Sequence, residues 1–237
     1  MEDGARPANR QDRRTEVVWP VSRPGTVLKA DVFGTITRIG DTVVRDTAGA
    51  RWWAWPIARH LLNRERRALL RMAEHPGIPP LLASSRGQLA RGWIEATPMH
   101  LAKPRDAAYF RAAARLLRQL HTARIVHNDL AKETNWLVTP DGRPALVDFQ
   151  LAMTLDRRRG ALARALGHDD LRHLLKHKRS YLPQLLTARE KRILARPSWF
   201  ARGWMATGKR AYRFITRRIL HWQDREGAGD RSARPPR

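Results

Sequence analysis

Cysteine is absent from all 237 residues, which excludes disulfide staples and thiolate metal sites and suits a cytoplasmic location. No run approaches the roughly twenty consecutive apolar residues that cross a bilayer as a helix. The first twenty residues are charged and polar and lack an apolar stretch, so no secretory leader is expected there. Nine histidines are scattered, and none falls in an HExxH pattern. Acidic residues are scarce: 22 Asp and Glu stand against 46 Lys and Arg, a formal charge of +24. Such a field favours anionic partners, among them nucleotide phosphates, nucleic acid and an anionic membrane surface. Most of the excess is Arg, accompanied by abundant Ala, Pro, Gly and Trp, a profile that GC-rich coding sequence also produces. The charge therefore speaks to association and not to fold. No RRM, KH or zinc-finger pattern accompanies it, so a nucleic-acid partner has no motif behind it.

The chain is long enough to bury a sizeable core. Residues 1–15, MEDGARPANRQDRRT, read as a flexible N-terminal arm, and residues 231–237, RSARPPR, as a disordered tail. Strand patterning begins near Val27: Thr35–Ile39 alternates, Gly40-Asp41 signals a tight hairpin, and Thr42–Arg45 returns. At Phe33-Gly34-Thr35 the backbone could approach a phosphate closely, and a surface turn explains Gly34 equally well. Pro56 suits a helix N-terminus, with Ile57, Leu61, Leu69 and Met72 at helical spacing. Glu65 falls on that apolar face, where a buried carboxylate needs a cationic partner; Arg45, at the end of the Val43-Val44 strand, is the natural candidate. A further strand is expected over Leu89–Thr97, closed by Pro98. Asp106 can cap a helix striped by Phe110, Ala113, Ala114, Leu117 and Leu120. Beyond the basic Arg157-Arg158-Arg159, a helix containing Asp169-Asp170-Leu171 is expected. Ser198–Gln223 is basic and amphipathic, which suits either an anionic membrane surface or packing on the parent domain; Gly203 and Gly208 argue against one long rigid helix.

The most informative stretch is Ile125–Met153, IVHNDLAKETNWLVTPDGRPALVDFQLAM. It carries His127-Asn128-Asp129, then Asn135, then Asp148-Phe149-Gln150. Between the last two, Trp136-Leu137-Val138 and Ala145-Leu146-Val147 flank a Pro140-Asp141-Gly142 turn, a hairpin that would bring Asn135 and Asp148 to neighbouring strand ends. There, two oxygen ligands can share one hard cation.

This combination resembles the catalytic and metal-binding loops of the atypical protein-kinase-like superfamily. The nearest likeness is to its compact groups: RIO-type kinases, lipopolysaccharide core kinases and aminoglycoside-phosphotransferase-like bacterial enzymes. The resemblance spans about residues 27–180 and is strong in motif only over 125–153. It implies an α+β, two-lobed fold with a small β-rich N-lobe over 16–97, built on one main helix. A helical C-lobe over 98–197 would lack a full activation segment, and a basic amphipathic region would occupy 198–230. It implies ATP and Mg²⁺ as cofactors and transfer of the γ-phosphate to a hydroxyl on protein or on a lipid-linked sugar. Asp129 would orient the acceptor hydroxyl, Lys132 would neutralise charge on the transferred group, and Asn135 and Asp148 would hold the metal. Gly34, Arg45, Glu65, Glu95 and Thr97 would serve the nucleotide, Arg45 standing where the family has a lysine. His127 and Phe149 would brace the site. The location implied is cytoplasmic, with an anionic inner-membrane face as a peripheral partner.

Three positions depart from the family pattern. Asn135 lies six residues after Asp129 instead of five, Gln150 stands in place of a glycine, and Asn128 in place of an arginine. These departures also define the competing expectation of a pseudokinase, a nucleotide-binding scaffold without transfer.

Overall fold

The computed structural model describes residues 25–73, 75–155 and 160–196. The expected N-terminal arm, Arg157–Arg159, the 198–230 region and the C-terminal tail lie outside the described residues. The fold is mixed α+β, with a five-stranded antiparallel sheet and several helices. The chain divides into two compact units, one formed by residues up to Leu62 with Pro80–Trp93, the other by Asn63–Pro79 and everything from Ile94.

The first unit is the antiparallel sheet, ordered β1-β2-β3-β5-β4. Its strands are β1 (Thr26–Asp31), β2 (Gly34–Ile39), β3 (Thr42–Asp46), β4 (Leu81–Ser84) and β5 (Gln88–Gly92). The Gly40-Asp41 turn joins β2 to β3 with Ile39 opposite Thr42, and Gly40 takes the left-handed backbone (φ 58°) that this tight turn requires. Gly34 has a firmer constraint. A Cβ there would stand 2.1 Å from the Asp46 carbonyl oxygen, at φ +122°, so close backbone approach alone demands glycine. The first turns of helix α1 (Trp55–Arg71) belong to this unit, whereas its residues from Asn63 onward belong to the second.

Helix α1 buries Ala58, Leu62, Glu65, Ala68 and Leu69, and Met72 just beyond it is buried as well; of the expected stripe, Leu69 and Met72 are buried, whereas Ile57 and Leu61 are not. Ile57 is half exposed, because the helix begins at Trp55 and its inward face starts one residue later. Glu65 does lie on the buried face, fully enclosed.

The second unit holds the two largest fully buried side chains, Trp136 and Phe149, together with Leu120, Leu146 and Leu155. Helix α2 (Met99–Ala102) is one short turn, whereas α3 (Ala107–Thr122) is long and capped by Asp106, whose carboxylate accepts the Ala108 N–H at 2.8 Å. Two small sheets flank these helices. One pairs β6 (Thr97–Pro98), β8 (Trp136–Val138) and β9 (Pro144–Leu146); the other pairs β7 (Ile125–Val126) with β10 (Met153–Thr154). The strand expected over Leu89–Thr97 is thus broken into β5 and β6. Pro98 lies within β6, opposite Leu137, on the edge of its sheet where a missing N–H is tolerated.

Helix α4 (Gly160–Tyr181) and helix α5 (Ala188–Ala195) complete the unit. Thr187 and Glu190 form a reciprocal capping box at the start of α5, and Lys178 of α4 reaches Glu190 at 2.7 Å. Among the described residues no helix is long and apolar enough to cross a membrane.

Candidate active site

The β8–β9 hairpin forms for the reasons visible in its sequence. Trp136, Leu137 and Val138 pair with Leu146, Ala145 and Pro144, and Gly142 closes the turn at φ 76°. The Thr139 hydroxyl donates to Asp141 and accepts the Arg143 N–H at 2.9 Å, so the turn satisfies its own polar groups. Beyond the last ladder pair, the Val147 N–H donates to the Asn135 carbonyl at 3.1 Å. Asn135 and Asp148 are thereby fixed at adjoining strand ends.

Between Asp129 and Asn135 the chain makes a short 3₁₀ turn over Glu133–Asn135. Asn135, almost wholly buried, turns its amide nitrogen back onto Asp129, donating to the carbonyl at 2.9 Å and to Oδ2 at 3.0 Å. Lys132 Nζ stands 3.1 Å from the same Oδ2. The Asp129 carboxylate therefore has one oxygen held by an amide and an ammonium. With its nitrogen committed, Asn135 keeps its amide oxygen as the atom able to face a cation.

Asp170 supports this loop from below. It sits mid-way along α4 and is 2% exposed. Its Oδ2 accepts the His127 N–H at 2.7 Å and faces His121 Nε2 at 3.2 Å, while Oδ1 accepts the Asn128 N–H at 3.0 Å. Asn128 has φ 64°, a left-handed conformation costly for a residue with a side chain, and Asp170 supplies the charge-assisted bonds that hold it there. His127 is fully buried; its Nε2 carries the proton, which it donates to the Val147 carbonyl at 3.0 Å, and its ring lies 4.7 Å from that of Phe149.

A second support comes from farther along the same helix. His177 Nε2 donates to the Leu130 carbonyl at 2.8 Å, and the Tyr181 hydroxyl donates to Glu133. Burial holds the His177 imidazole below its ordinary range, opposed by the Leu130 bond and by Glu133. Burial, followed by the Glu133 carboxylate, pushes the Tyr181 phenol upward, so it stays a donor at neutral pH.

Asp148 also adopts the left-handed region, at φ 63° and ψ 67°. The Gln150 amide donates to its Oδ1 at 2.7 Å. Among the described residues no group of three or more His, Asp or Glu converges as an all-protein metal cage would require. One carboxylate beside one amide oxygen instead suits a hard cation that takes its remaining ligands from phosphates and water.

The other expected nucleotide residues are placed less tightly. Glu95 and Thr97 are exposed in the second unit, Thr97 opposite Val138. Arg45 pairs in register with Ile36 and Leu89 in the first unit. Asp170 is the residue that sequence reasoning missed. Its signal was available: Leu166, Asp170, Leu174 and His177 recur at helical spacing, so the acid falls on a buried stripe, as Glu65 does in α1.

No protein-family model matches the chain, and no curated protein matches it.

Proposed function

We propose that the chain is an ATP- and Mg²⁺-dependent phosphotransferase of the atypical protein-kinase-like kind, two-lobed, acting on a hydroxyl of a protein or of a lipid-linked sugar. The observation that carries this reading is the convergence of Asp129, Lys132, Asn135 and Asp148 around one hairpin, joined by direct bonds from Asn135 and Lys132 to Asp129.

Asn135 and Asp148 would hold the metal, which would supply charge neutralisation on the ATP phosphates. Asp129 orients the acceptor hydroxyl and takes its proton as the new O–P bond forms and the bond to the ADP oxygen breaks. Lys132 places positive charge beside that carboxylate and the transferred phosphoryl group. Asp170 acts through the backbone of His127 and Asn128, fixing the loop that presents Asp129. Positioning and fixed charge are what phosphoryl transfer asks of a protein. The nucleotide roles implied for Gly34, Arg45, Glu65, Glu95 and Thr97 belong to the same reading. For Gly34, the backbone constraint at Asp46 is sufficient without a ligand.

A nucleotide-binding scaffold without transfer is the second reading, favoured by the Gln150 amide seated on Asp148 Oδ1. A magnesium-dependent ATP-turnover and autophosphorylation assay separates the two, with Asp129→Ala as control. Turnover lost in that variant supports the enzyme; ATP binding with no turnover in the unaltered protein supports the scaffold.

A further inference from the structure

Four side-chain hydrogen bonds converge on Asp148–Ala152, the segment that leaves the β8–β9 hairpin. Arg64, in the part of α1 that belongs to the second unit, donates from Nε to the Ala152 carbonyl at 2.9 Å and from Nη2 to the Leu151 carbonyl at 2.5 Å. Asn128 Nδ2 donates to the same Leu151 carbonyl at 3.1 Å, and Gln150 holds Asp148 Oδ1. Apolar packing alone leaves this segment underdetermined: Phe149 is buried, but the Leu151 side chain is 40% exposed. Asp148 also occupies a left-handed conformation, which persists where its surroundings impose it. A planar guanidinium that spans two successive carbonyls is well suited to impose it, because both donors act along fixed directions.

We infer that Arg64, Asn128 and Gln150 are positioning residues which hold the Asp148 carboxylate ready for the metal before any ligand arrives. This rests on the phosphotransferase reading and deepens it. Arg64 and Asn128 fix the backbone path after Asp148, and Gln150 fixes the plane of the carboxylate itself. The Gln150 amide is then a support for the metal ligand and not an obstruction of it. Partial burial of the Arg64 guanidinium, which lowers its pKa, agrees with a group committed to protein carbonyls.

The test uses the full chain with Arg64→Ala, Arg64→Lys and Gln150→Ala. Hydrogen exchange on ligand-free protein reads the clasp directly, without metal or nucleotide. Arg64→Ala should speed exchange over residues 149–153 while leaving β8 and β9 as they are, and Arg64→Lys, which keeps the charge but lacks the planar fork, should fall between. Calorimetry with ATP, with and without Mg²⁺, reads positioning. Both Ala variants should weaken magnesium-dependent ATP affinity by about tenfold, as loss of a residue supporting a metal ligand does, with metal-free ATP affinity unchanged. Unchanged exchange in Arg64→Ala overturns the clasp. Equal losses with and without Mg²⁺, or a lower Mg²⁺ requirement in Gln150→Ala, overturn the positioning role, the second by making Gln150 a competitor of the metal. If the unaltered protein binds ATP no better with Mg²⁺ than without, the phosphotransferase reading falls and takes the positioning role with it, while the exchange contrast separately reports the clasp.

Discussion

The two segments that carry the candidate site, Val126–Asn135 and Asp148–Ala152, precede and follow one hairpin, meet at its open end and are held by different means. The first is secured from the core: a buried carboxylate, Asp170, takes two successive backbone N–H groups, and buried His177 takes the Leu130 carbonyl. The second is secured at the rim, where Arg64 and Asn128 donate to Leu151 across a solvent-exposed edge. The contrast has an energetic consequence. An unsatisfied group deep in the core costs its full desolvation, whereas carbonyls at the rim turn to water when their donor is removed. Loss of a core support should therefore unfold the protein and disable it together. Loss of a rim support should spoil geometry with little change in melting.

Asp170→Ala offers the strongest way to break this comparison. It strands two buried N–H groups and releases the left-handed Asn128, and it should cost about 3 kcal/mol or more of folding stability. Thermal melts beside turnover read it. A melt like that of Gln150→Ala would mean that the two segments are held alike.

A pH titration sharpens the comparison further. His173 of α4 is held down to about 4, first by burial and then by Lys176 and His177, against the opposing pull of Asp170 and Asp169. The unfolded chain binds this proton more readily than the folded one. The contribution of His173 is complete above pH 6.5 and falls as the pH drops towards 4, by up to about 3 kcal/mol. Because α4 also carries Asp170, acidification through this window should loosen the amides of His127 and Asn128 before those of 149–152. Exchange measured at pH 7 and pH 5 checks this, and His173→Gln should flatten the stability profile. Uniform loosening of both segments would contradict the separation.

The smallest effect is expected from Lys178→Ala. The Lys178–Glu190 pair ties α4 to α5 and bonds to neither segment, and its partly exposed position makes it worth about 1 kcal/mol or less. Melting should drop slightly and ATP affinity should not move. A change in ATP affinity would show that α5 bears on the site.

Much of this site was legible because it is local in sequence. The hairpin turn, the strand ends at Asn135 and Asp148 and the helix cap at Asp106 each follow from a handful of adjacent residues. The six-residue spacing of Asp129 and Asn135 appeared as a departure, and between them the chain makes a 3₁₀ turn, with an amide that reaches back. What stayed hidden depends on distant partners. Asp170 acts on residues more than forty positions earlier, and Arg64 on carbonyls nearly ninety positions later; a helical stripe marks Asp170 as buried, but no window of neighbouring residues names the partners of either. The buried face at the start of α1 was offset because Ile57 fits a helical period that the buried Ala58 and Leu62 do not follow. Gly34 illustrates the converse: a glycine that sequence leaves open between a phosphate approach and a surface turn has a sufficient cause in the Asp46 carbonyl.

The central claim is that Asp129 acts on the acceptor while Asp148 acts on the metal-bound nucleotide. Magnesium-dependent ATP turnover and ATP affinity, measured together on the unaltered chain, Asp129→Ala and Asp148→Ala, test it most directly. Asp129→Ala should lose turnover by about 10²–10⁴-fold, the scale of a lost general base, and keep its ATP affinity. Asp148→Ala should lose both. Turnover in Asp129→Ala equal to that of the unaltered protein, or an equal loss of ATP affinity in the two variants, would contradict the account.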